Sequence, residues 1–174
     1  MKPEWMTILC AVPALAAGIL TLLADGKRLT ALEKVPRLRL PGLLLGWIVL
    51  AVCVPHARAV SPDFLLPFLI PLAVIVPPLG AVFVDNATAR AWAGALILGA
   101  YGVIHLSFEC RLPLSGVLAV GSWAVGAVGI CVSGYPTWFR DGLRLFARRP
   151  LLKWFAGIFF ILYWVVAVIA AVAA

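Results

Sequence analysis

Six stretches without Asp, Glu, Lys or Arg set the pattern of the chain: residues 5–24, 40–54, 64–84, 91–108, 112–134 and 154–174. A helix rises 1.5 Å per residue, so roughly 20 apolar residues cross the hydrocarbon core of a bilayer, about 30 Å thick. Five of the six runs approach or exceed that length on their own. The second is short, and its helix is expected to continue through Pro55 to residue 60, with Arg58 reaching back to the headgroups. The pattern predicts an all-α membrane protein, a bundle of six transmembrane helices over 5–24, 40–60, 64–84, 91–108, 112–134 and 154–174. The connections are too short to hold a second domain. Ala14-Leu15-Ala16 has the small-x-small form of a signal-peptide cleavage site, but cutting there would leave the strongly basic stretch behind it on the exported side. The first run is therefore expected to stay as the first span.

Within the spans, residue type predicts how the helices meet. The third contains Pro67, Pro71, Pro77 and Pro78; each removes a backbone donor and opposes a straight helix, so a bend is expected. In the fourth and fifth, Ala91, Ala95 and Gly99, then Ser122 and Gly126, recur at four-residue spacing. In lipid the hydrophobic effect does not draw helices together, and small faces that let backbones approach must do much of that work. Gly99 and Gly126 are expected at helix–helix contacts.

The connection over 135–153 has a pattern of its own. Leu143 and Phe146 share one face while Arg140, Arg144 and Arg148 repeat at four-residue spacing, which predicts an amphipathic interfacial helix over 137–149 between spans five and six. Thr137 is expected to cap it, and Pro150 to end it before the last span. Arg140, Arg144, Arg148, Arg149 and Lys153 are the expected contacts to lipid headgroups, so bound lipid is expected.

Composition agrees: 64% of the 174 residues are hydrophobic and 12% charged, against about 45–50% and about 25% in soluble domains. The net charge of +7 comes from basic residues crowded beside the spans, which implies anionic headgroups rather than nucleic acid as partner. Lys27, Arg28, Lys34, Arg37, Arg39, Arg90, Arg140, Arg144, Arg148, Arg149 and Lys153 fall on alternate connections of one side, and Lys2, Arg58 and Arg111 on the other. Basic connections stay in the cytoplasm. The chain is therefore expected in the cell (inner) membrane with both termini on the non-cytoplasmic side.

Chemistry is sparse. The chain has no G-x-x-x-x-G-K-[ST], H-E-x-x-H or G-x-S-x-G, and its four cysteines are isolated. Asp25, Asp63, Asp85 and Asp141 fall at or beyond span ends, so no paired carboxylates are expected at mid-membrane. No catalysis is expected of the chain alone. One constellation stands out: Tyr101, His105 and Glu109 at i, i+4 and i+8, drifting only some 40° per step, form a polar stripe near the outer end of the fourth span. It is expected to face protein or a water-filled pocket; alternatively Glu109 pairs with Arg111 at the interface. His56 falls at a similar depth, and His56 with His105 could ligate a b-type haem, or the stripe could hold a quinone. Three functions fit: a small structural or accessory subunit of a larger membrane complex, bound to other subunits; a transporter or channel using the kinked third span and the stripe; or a haem- or quinone-binding redox subunit. The first is favoured by the minimal loops and the small-residue faces.

Overall fold

In the computed structural model, residues 3–26 and 28–174 are described; Lys2 and Lys27, counted above, lie outside the described residues. The described chain is helical, with six helices long and apolar enough to cross a bilayer. In chain order the helices are α1 (Pro3–Leu22), a four-residue α2 (Leu29–Leu32), α3 (Arg39–Val60), α4 (Leu66–Phe83), α5 (Ala87–Glu109), α6 (Ser115–Gly134), α7 (Thr137–Arg148) and α8 (Pro150–Val172). The second span does run through Pro55 to Val60.

Three helix starts lie three or four residues from the sequence expectation, for local reasons. α5 begins at Ala87 because Asn86, in the left-handed region at φ 58°, turns the chain directly into a helix. α6 begins only at Ser115, since Arg111 and Leu114 both take positive φ in the hairpin, while Leu112 is buried and its N–H donates to the Ser107 carbonyl at 2.9 Å. α8 begins at Pro150, whose missing N–H costs nothing in a first turn. The residue before it, Arg149, is extended (φ −123°, ψ 91°) and ends α7. Thr137 is the first residue of α7 rather than its cap; Pro136 holds the cap position and no side chain caps the helix.

α5 is the hub, packing against α1, α3 and α6, while α8 lies along α1 and touches α6 more lightly. Small residues make this possible. A methyl at Gly99 would strike the carbonyl oxygen of Cys10, one at Gly102 would sit 2.6 Å from Cys10 Sγ, and one at Gly129 would lie 3.0 Å from the Ala93 carbonyl. Gly126 faces the Ala100 methyl at an ordinary 3.5 Å. The expected close contacts are present, with Gly99 and Gly129 tighter than Gly126. Ser122 and the Tyr163 hydroxyl, 2.7 Å apart and buried, join α6 to α8.

α3 runs parallel to α5, meeting it at Gly42 with Thr88, Val49 with Gly94, and His56 with Tyr101. The near seven-residue steps on both helices are those of left-handed supercoiled pairs. α4 finds its helix neighbour in α3 and forms the rim of the fold. It remains one helix across Pro71, Pro77 and Pro78. Pro78 has no N–H, so it leaves the Val74 carbonyl four residues back without its helical donor. The Trp47 indole N–H of α3 donates to that carbonyl at 3.0 Å, and Gly46 packs beside Pro77.

Candidate functional site

The features that could carry chemistry lie at opposite ends of the helices. At the end where α3 and α5 finish, the T-shaped ring pair of His56 and Tyr101 has centroids 5.3 Å apart, and the Tyr101 and His105 rings follow at 5.8 Å. One turn further, His105 Nδ1 lies 3.1 Å from Glu109 Oε2. Parallel packing of α3 on α5 brings His56 into register with the stripe, so four polar side chains form one string along the seam. The polar neighbour that Glu109 meets is His105, not the Arg111 that sequence offered.

The string faces outward. Tyr101 is 46% exposed, and the side chains of His105 and Glu109 are 52% and 63% exposed. The stripe, expected to face protein or a water-filled pocket, is thus left uncovered within a single chain: α1 and α6 occupy the other sides of α5. His56 and His105 both contact the Tyr101 ring on this open face. Among the described residues no group of three His, Cys, Asp or Glu could hold a metal ion. In the neighbouring α5–α6 connection, desolvation and then the charges of Glu109 and Glu4 push the Cys110 thiol up.

At the opposite, basic end the connections are knit together. Arg144 of α7 grips Glu33 with two bonds, Nε to Oε1 at 2.6 Å and a terminal nitrogen to Oε2 at 3.3 Å. That fork holds the Glu33 carboxyl below its ordinary range. Lys153 of α8 pairs with Asp25, which is lowered for the same reason. The Thr88 hydroxyl donates to the Leu38 carbonyl, and Arg90 donates to the Ser133 carbonyl at 3.2 Å. Of the five cations expected at headgroups, Arg144 and Lys153 thus have carboxylate partners within the fold. Arg140 lies beside Asp141 at 3.9 Å, and Arg148 and Arg149 are exposed.

The apolar face of α7 turns inward. Phe139, Gly142, Leu143 and Phe146, spaced i, i+3, i+4 and i+7, roof a cleft of about 590 Å³ between α6 and α8. α1 and α5 supply its back wall through Leu20, Thr21, Trp92 and Leu96. Exposed Val128, Cys131, Trp138 and Phe155 stand at its mouth. Sequence reasoning placed α7 but missed the cleft, whose walls come from five separate helices. It also missed Asp25 and Glu33, whose partners are 128 and 111 residues away.

The chain matches no protein-family model, none of the curated proteins and none of the solved structures with which it was compared.

Proposed function

We propose that the chain is a multi-pass protein of the cell membrane, with its basic end in the cytoplasm and both termini outside, serving as a small structural or accessory subunit of a larger membrane assembly. The observation that carries this reading is the outward-facing string His56, Tyr101, His105 and Glu109. Tyr101 lies eight residues before the end of α5, about 12 Å along the axis. In a bilayer whose hydrocarbon core is about 30 Å thick, a lone chain would leave that ring and the neighbouring imidazoles against lipid tails. A neighbouring subunit seated on the α3–α5 seam gives them partners. The α3–α4 hairpin supports the same reading, since both helices are covered on little of their surface within the chain. The prolines of α4 support it over a carrier: α4 stands at the rim, and the carbonyl freed by Pro78 has an internal donor.

The test is photo-cross-linking from a benzophenone amino acid at position 101, followed by purification in mild detergent. Cross-links to a discrete second protein are expected, with fewer from position 120 on the exposed face of α6. Labelling of lipid alone at position 101, with the chain sedimenting as a monomer, would refute the proposal.

A further inference from the structure

We infer that the cleft between α6 and α8 is a binding site for an anionic phospholipid of the cytoplasmic leaflet, with an acyl chain lying beneath α7 and the headgroup held at Arg148 and Arg149. The inference rests on the proposed membrane placement and goes beyond it by naming a ligand and its site.

The cleft has the volume of a ligand pocket, within the usual range of about 300–1,000 Å³. It is enclosed on three sides by α1, α5 and α7 and opens sideways between α6 and α8, the direction in which a bilayer would lie. Its α6 wall runs from Ala124 to Val132, eight residues or about 12 Å. One leaflet of hydrocarbon is about 15 Å deep, so the cleft spans most of the basic-end leaflet. The walls are apolar along this length, and the Thr21 hydroxyl at the back is already satisfied, donating to the Ala17 carbonyl at 2.8 Å. Such a space suits a hydrocarbon chain and offers nothing to a polar solute.

Charge fixes the headgroup. α7 places Trp138 at the mouth, and at its other end Arg149 hands the chain directly to α8, which also lines the cleft. Arg148 lies next to Arg149, and both are exposed. Arg140 and Arg144 lie two turns and one turn before Arg148 on the same stripe, where Arg140 sits beside Asp141 and Arg144 is bound to Glu33. Of these four cations, Arg148 and Arg149, where α7 passes into α8, are the two without a carboxylate partner among the described residues. A headgroup of net negative charge complements them; a zwitterionic lipid, whose phosphate is offset by its own cation, would fill the cleft with less of that gain.

The experiment uses the full chain in vesicles of phosphatidylglycerol and phosphatidylcholine, with a photoactivatable group near the end of one acyl chain of one or the other lipid. Labelled peptides are then mapped. Concentrated labelling of the α6 segment 124–132 and of Trp92 and Leu96, about tenfold stronger with phosphatidylglycerol, is expected. The double substitution Arg148→Gln, Arg149→Gln should abolish the preference between lipids while leaving labelling within the cleft. Ala127→Phe, which puts a ring at the cleft wall, should remove that labelling. Labelling spread evenly over exposed apolar residues, including those of α4, would overturn the proposal, as would equal labelling of the cleft by both lipids. A chain that stays out of the vesicle membrane altogether would overturn both the site and the membrane reading, whereas insertion with even labelling would overturn the site alone.

Discussion

Trp47→Phe isolates the hydrogen bond that fixes the α3–α4 hairpin. A smaller aromatic ring remains at this partly exposed position, but the indole N–H that reaches the Val74 carbonyl at 3.0 Å is lost. That carbonyl cannot fall back on its helix, because position 78 is proline and has no donor. Hydrogen bonds between membrane helices average about 0.6 kcal/mol, since the unfolded chain in lipid finds other partners. A stranded buried acceptor costs about 1–3 kcal/mol. With no fallback donor, the expected loss lies between them, about 1 kcal/mol. The decisive measurement is a double-mutant cycle with Pro78→Ala, read by reversible unfolding in bicelles. Alanine restores an N–H that bonds Val74 within α4, so in that background Trp47→Phe should cost no more than a few tenths of a kcal/mol. An equal cost in both backgrounds would show that Trp47 acts through its ring alone and would refute the account.

Glycine substitutions should rank by what the new methyl meets: Gly129→Ala presses on the Ala93 carbonyl of a neighbouring backbone and should cost about 1–3 kcal/mol, whereas Gly126→Ala meets a methyl at 3.5 Å and should be neutral or stabilising. Equal unfolding midpoints for the two variants would contradict the α5–α6 packing. The Glu33–Arg144 pair should respond to acid: because the folded carboxyl titrates below its ordinary 4.5, its stabilisation is present above that value and is lost as pH falls through the lowered one. The thermal midpoint should thus hold from pH 7 to 5 and fall below, with Glu33→Gln shrinking the fall; an undiminished fall in that variant would rule the pair out as a contributor. In a cysteine-free background, single cysteines at positions 37 and 148 should be protected from an impermeant thiol reagent in intact cells and one at 111 labelled, and the reverse pattern would defeat the proposed orientation.

What the sequence made legible follows the physics of each feature. Span number and approximate extent depend on run length alone, and the six long helices appear where the charge-free runs lie. The inward face of α7 was half visible: Leu143 and Phe146 carried the period, and Phe139 and Gly142 complete it. The basic connections do gather at one end, through contacts such as Arg144 with Glu33, but which cations pair within the fold depends on partners more than 100 residues away. The side of the bundle on which the Tyr101 stripe lies was hidden for another reason. α5 carries small residues on nearly every side, with Ala93, Ala95, Gly99 and Ala100 all buried, so its own pattern does not say which side stays open.

That same property explains where the polar groups end up. A hub helix that admits three neighbours at close range leaves almost no room at its centre for a hydrated or charged side chain. Apart from Tyr163, whose hydroxyl meets Ser122, the polar residues buried among those described are Thr7, Thr21, Thr88, Ser107 and Ser122, all of them small hydroxyls. Other large polar groups are displaced along the axis or outward: carboxylates and cations to the ends of the helices, the imidazoles and the Tyr101 phenol to the open seam of α3 and α5. A core that excludes solvated chemistry makes a poor pathway and a firm scaffold. On the proposed reading, the open seam and the cleft, both on surfaces the chain does not cover for itself, are where a neighbouring subunit and a lipid would be met.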